Sequence, residues 1–166
     1  GFRDRIIGLE RVKASSLRPH PLNPRRHPDH QRAALRGLLS EIGFADAILA
    51  RRAEDGGLTI IDGHLWAEES GDAEVPVLVL NVDAHEAEKM LATLDPLAGM
   101  ARTNAEALTS LLDSLRSEDE RVSALLESIA DVMLVPVEVT TAEVSKLRFH
   151  PRNYRRHPDD QLDHLV

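Results

Sequence analysis

With 166 residues, 42% of them apolar and 29% charged, the chain has the composition of a globular domain or slightly more, and is not a disordered polymer. Its formal net charge of −8 argues against a surface that coats DNA phosphates over a wide face, and the absence of cysteine excludes disulfides, thiolate catalysis and Cys-ligated zinc. No apolar run approaches a membrane span and no signal-peptide pattern opens the chain, so no membrane partner is expected and a cytoplasmic setting is.

Taken in order, Arg5 to Leu17 reads as one or two short strands around Ile6-Ile7 and Val12. Pro19, Pro21, Pro24 and Pro28 then hold a loop extended, with Asp29 as the cap of the next element. Leu35, Leu38, Leu39 and Ile42 make one apolar helical stripe that Gly43 ends. Ala47–Arg51 and Leu58–Ile61 are strands joined by a turn at Glu54-Asp55-Gly56-Gly57. Val75–Leu80 is a further strand, with Pro76 at its start or on an edge. Asp83 caps a helix bearing Ala87, Met90, Leu91 and Leu94, which Asp95-Pro96 interrupts. Thr103 or Asn104 opens another with Leu108, Leu111, Leu112 and Leu115, and a last helix carries Val122, Leu125, Leu126 and Ile129. Its pairing with the preceding one makes a helical hairpin.

The stretch Thr59 to Glu69 carries the most chemistry. A β-branched strand ends in Asp62-Gly63, and good helix formers follow. Free N–H groups at such a helix start attract anions; Asp62 is placed to cap the helix and His64 to face the same opening. Arg18, Arg25, Arg26, Arg32 and Arg36, with His20, His27 and His30, cluster ahead of it, whereas acids dominate from Glu68 to Asp131. An anion site is therefore expected at the N-terminal end. The His20, His27, Asp29, His30 spacing matches no metal motif, and no metal is assigned. Trp66 reads as core packing at a helix start.

The chain also repeats itself. Leu17–Gln31 aligns without a gap on Leu147–Gln161, identical at 11 of 15 positions at an offset of 130. The period is too long for a solenoid, so it marks a duplicated module beginning near Val135. The missing initiator Met and an end inside a helical pattern suggest a piece of something longer.

An Asn-Pro-Arg-Arg loop, an amphipathic helix, a hairpin, a strand running into Asp-Gly-His and a Val-Pro-Val strand resemble the ParB N-terminal domain family. The likeness is closest to its divergent branch in phage and mobile elements. It implies an α+β fold of the ParB/sulfiredoxin-like type: residues 1–100 a ParB-like domain, 101–134 a helical hairpin extension, and 135–166 the truncated start of a second ParB-like domain.

By position, the resemblance assigns phosphate binding to Asn23, Arg25, Arg26, Gly63 and His64, with Asn153, Arg155 and Arg156 as second-copy equivalents. It implies CTP with Mg2+ as the ligand. It also implies DNA as a partner, engaged through other parts of the full protein, and admits a homodimer. The chain departs from the family pattern at Leu65 and Trp66, where relatives place arginines, and at Leu94-Asp95-Pro96, where they place Asn and Arg. Weak or absent CTP binding follows from those departures. The expected role is a DNA-associated, nucleotide-regulated module for partition, mobile elements or DNA modification, not catalytic in this copy. The enzyme alternative is a nucleotide hydrolase, kinase or nuclease of the same fold, with Asp62 as its one placed carboxylate; sulfiredoxin chemistry is excluded because it needs a thiol.

Overall fold

The β-branched runs assemble into one four-stranded mixed sheet. The structure, a computed structural model, describes residues 1–134. Its elements are β1 (Ile6–Lys13), a 3-10 turn (Ala14–Ser16), α1 (Asp29–Glu41), β2 (Ile48–Arg52), β3 (Leu58–Asp62), α2 (His64–Ser70), β4 (Glu74–Leu80), α3 (Ala84–Gly99), α4 (Ala105–Ser114) and α5 (Glu120–Leu134). The strand order is β1-β4-β2-β3, with β4 antiparallel to β1 and parallel to β2, and β2 antiparallel to β3. The α+β class expected from the sequence is the one observed.

Alternation along the strands divides the core between two faces. Ile48, Ala50, Ile60, Val75, Val77 and Val79 pack with Leu17 and with Ala67 of α2 on one side. Ile61 and Leu80 meet Ala87 of α3 on the other, flanked by Leu49, Val82 and Met90. Pro76 lies in an interior strand, but ahead of the parallel pairing with β2, which begins at Ile48–Val77. Its missing N–H therefore costs no ladder bond on that side.

Several boundaries are confirmed by their caps. Asp83 and Glu86 form a reciprocal capping box on α3, and Asn104 accepts from the Ala107 N–H to start α4. Gly43, at φ +87°, follows the end of α1. Others need correction. Asp29 is the first residue of α1 and makes no side-chain cap; Pro28 precedes it at the N-cap position. α3 runs through Pro96 to Gly99, because a proline in the last turn removes one helical bond and leaves the following turn intact.

Of the expected α1 stripe Leu35 is buried and Leu38 and Leu39 are half-buried, but Ile42 is not covered. Ala34 and Gly37 are buried as well. The helix packs on α2 and α5, and α2 in turn lies against the strands. The contact with α5 depends on Gly37: a β-carbon there would lie 2.9 Å from Val122 of α5, so the missing side chain is what lets the two helices approach. α4 touches α5 but buries none of its residues; Leu111 and Leu115 of its expected stripe are exposed. The duplicated loop at Leu147–Gln161, the helix expected near Asp159, and Asn153, Arg155 and Arg156 lie outside the described residues.

Candidate functional site

The turn between β3 and α2 is built on Gly63. Its φ of +90° is left-handed, and a β-carbon there would sit 3.1 Å from Ile48 Cγ1 and 3.3 Å from Ile48 Cα. Only glycine meets both demands without strain. The turn aims Asp62 and His64 toward the proline-stiffened loop of residues 18–28.

Asp62 does not cap α2, contrary to expectation. The helix starts at His64, with Gly63 at the N-cap position and no side-chain cap, and Asp62 Oδ1 instead accepts from the Gly63 N–H at 2.9 Å and from Arg25 Nη1 at 2.7 Å. Arg25 is pulled the same way by a second acid: its Nε pairs with Asp95 of α3. One half-buried guanidinium therefore joins the loop, the end of β3 and the far end of α3. Its remaining nitrogen, Nη2, is buried with no partner among the described residues.

His64 is buried, at 3% exposure. The backbone N–H of His20 donates to its Nε2 at 3.1 Å, so the neutral ring carries its proton on Nδ1. That Nδ1 is likewise buried without a partner among the described residues. Burial pushes the His64 pKa below its ordinary value, and the neighbouring Arg25 charge adds to the effect. The folded protein thus binds the proton less readily than the unfolded chain. The stability this represents is full above the unfolded value of about 6.5 and is lost as pH falls from there through the folded value. Urea melts between pH 8 and pH 5 should show a steeper acid loss for the natural protein than for His64→Gln. That variant keeps an acceptor for His20 and cannot titrate; equal slopes would contradict the assignment.

These groups share one cavity of about 400 Å³. Its wall includes Arg25, Arg26, Asp62, Gly63, His64 and Asp95, closed on the apolar side by Phe44 and Trp66. The two rings pack 5.5 Å apart at 42°, so Trp66 is both core packing and cavity wall. His27 lines it too: its Nδ1 faces Gln31 Oε1 at 3.0 Å, and its Nε2 is buried without a partner among the described residues. Four of the five expected binding residues therefore meet here. Asn23 does not line the cavity; its Oδ1 accepts from the Arg25 N–H at 3.2 Å, a local turn that sets the approach of Arg25.

The basic cluster read from the sequence is largely neutralised. Arg18 pairs with Asp55 at 2.5 Å, Arg32 with Glu68 and Glu69 at 2.6 and 2.7 Å, and Arg36 with Glu69 at 2.6 Å. The Glu69 carboxyl is held below the usual range chiefly by its hydrogen bond from Arg32. These pairs tie α2 to α1. Of the five arginines, Arg26 alone makes no ion pair with the described residues, and it sits exposed at the cavity rim. Asp95, Phe44 and His27 were not assigned to the site from sequence. His27 left a signal in its recurrence at His157 in the repeat, and Asp95 in its place within Leu94-Asp95-Pro96, the stretch that departs from the family pattern.

The fold is similar to that of the C-terminally truncated chromosome-partitioning protein ParB from Caulobacter crescentus, solved in complex with CTP-γ-S. Identity is 21%, the match covers 74% of this chain and 62% of that one, and the TM-score is 0.50. The chain has the ParB/sulfiredoxin-like fold. It spans less than two thirds of that ParB structure, and at this identity the likeness is one of fold. A sulfiredoxin from Arabidopsis thaliana matches at 13% identity over 51% of this chain and 97% of its own, with a TM-score of 0.43. A Pnob8-like ParB-N domain matches at 17% over 78% and 52%, with a TM-score of 0.45. No protein-family model and no curated protein matches the sequence. Within the ParB/sulfiredoxin-like fold, this cavity lies at the junction of β3, α2 and the loop before α1.

Proposed function

We propose that the chain is a ParB-like, DNA-associated module whose cavity binds the phosphates of a nucleotide, CTP in the first instance, without turning it over. The observation that carries this reading is the pair of buried donors, Arg25 Nη2 and His64 Nδ1–H, left without partners among the described residues and belonging to side chains that line one cavity. A buried donor with no acceptor costs roughly 1–3 kcal/mol, and an oxygen anion that drew these side chains toward the cavity would recover it. Arg26 at the rim adds a positive charge, and the walls of Phe44 and Trp66 suit a flat base.

These residues fit a phosphate, and Arg25, Arg26, His64 and the Gly63 turn are the groups that would hold it. Among the described residues no group of three His, Asp or Glu side chains could hold a metal ion, so Mg2+ would enter with the nucleotide. Binding is favoured over catalysis because the cavity's best-placed carboxylate is already committed. Asp62, the carboxylate placed for acid–base work, is engaged by Arg25 and the Gly63 N–H. DNA is contacted through other parts of the full protein, and residues 135–166 begin a second copy, as the 11 shared positions suggest. No helix among the described residues is long and apolar enough to cross a membrane.

Calorimetry with CTP and the other ribonucleotides, with Mg2+ present, tests the reading. Weak binding is expected, since Leu65 and Trp66 offer a phosphate no charged hydrogen bond, and each such bond is worth roughly 1.5–3 kcal/mol. Arg25→Ala with Arg26→Ala should abolish it. Tight binding that survives the double variant would place the site elsewhere, and steady phosphate release in the natural protein would favour the hydrolase alternative.

A further inference from the structure

We propose that Asp95 is a specificity-determining residue of this cavity: an internal competitor for Arg25 that penalises free phosphate anions and favours ligands whose charge is already compensated. The inference rests on the reading of the cavity as a phosphate site.

The geometry gives Asp95 the place a ligand oxygen would take. Arg25 presents its guanidinium with Nη1 bound to Asp62 and Nε paired with Asp95, so one donor nitrogen, the buried Nη2, is left over. A phosphate that grips an arginine with two parallel bonds needs two adjacent nitrogens. Side-on, through Nε and Nη2, it can have them only if Asp95 withdraws; end-on, through Nη1 and Nη2, it must share Nη1 with Asp62. The two carboxylates are not equally free to move. Asp62 ends β3 and also holds the Gly63 N–H, which ties it to the turn. Asp95 is 57% exposed, pairs with no group but Arg25 among the described residues, and sits beside Pro96, where α3 lacks one backbone donor. Asp95 is the group that can leave.

Charge points the same way. The wall holds three carboxylates, Asp46, Asp62 and Asp95, against two guanidiniums, with His64 neutral. A bare polyphosphate entering this cavity meets an excess of its own sign. One whose oxygens are already shared with Mg2+ meets much less. Nothing among the described residues supplies that cation, so the requirement falls on the ligand.

The test is calorimetry with inorganic triphosphate and with CTP, each with and without Mg2+, on the natural protein, Asp95→Asn, Asp95→Ala and Arg25→Ala. Asp95→Asn keeps the shape and removes the charge; Asp95→Ala removes the competitor outright, and either one suffices if the other fails to fold. Both should bind free triphosphate and free CTP about tenfold more tightly than the natural protein. The gain should shrink when Mg2+ is present and at high salt. Unchanged affinity in both Asp95 variants, with binding still abolished in Arg25→Ala, would overturn this proposal and leave the phosphate site standing. A gain for CTP but not for inorganic triphosphate would overturn it by placing the effect on the base. No binding of either anion by any of the four proteins would remove both readings.

Discussion

Replacing Gly63 by alanine is expected to destabilise the protein by about 2–4 kcal/mol, the sum of a left-handed backbone and a forced contact. The backbone contribution follows from φ of +90°, where a β-carbon clashes with its own carbonyl. The packing contribution follows from Ile48, whose Cγ1 and Cα would be 3.1 and 3.3 Å away. Ile48 is buried in the main core cluster, so it has little room to give. Gly56 separates the two contributions. It has nearly the same φ, +84°, but open space around its missing side chain. Gly56→Ala should cost only the backbone part, about 1–2 kcal/mol. Urea denaturation of the two variants side by side checks this. Equal losses would mean that the contact with Ile48 is accommodated without strain. Because Gly63 lies between Asp62 and His64, its substitution should also disturb the Arg25 and His20 hydrogen bonds and weaken any ligand binding.

Gly37→Leu is expected to release α5 from α1 at a cost of about 2–3 kcal/mol. A β-carbon at this position already meets Val122 Cγ2 at 2.9 Å, Asp119 Oδ1 at 3.0 Å and Arg121 Cβ at 3.2 Å. A leucine side chain must displace them all. The substitution also raises helix propensity by up to about 1 kcal/mol, which offsets part of the loss. A change confined to α1 would therefore stabilise, and only the packing against α5 makes it destabilise. Hydrogen exchange should show the effect locally: amides of residues 121–132 lose protection while those of β4 keep theirs. Uniform loss across the sheet would mean that α5 is integral to the core rather than docked on it.

The sequence by itself determined the strands, the caps at Asp83 and Asn104, the glycine turn at Gly63 and most of the residues that meet at the cavity. These are local properties. β-branched runs, a capping aspartate and a glycine between strand and helix each act over a few residues, and chain order alone brings them out. Sequence could also place Arg25 and Arg26 on a stiff loop, since four prolines fix its conformation wherever it goes.

Only the tertiary structure decided what each charge does. Arg18, Arg32 and Arg36 look like one basic cluster with Arg25 and Arg26 in the chain, yet each meets an acid 33 to 37 residues away and leaves the site. Asp62, a helix cap by local rule, accepts instead from Arg25 and from the Gly63 N–H, because a charged donor makes a stronger bond to a carboxylate than the neutral N–H groups further into α2. Asp95 was legible as the residue before a helix-breaking proline and as part of a departure from the family pattern, not as a partner of Arg25, and the helix went on past it to deliver its carboxylate there. Pairings across such distances depend on where the strands and helices finally lie. No periodicity or spacing along the chain encodes that, since the partner of a surface charge is set by packing and not by propensity.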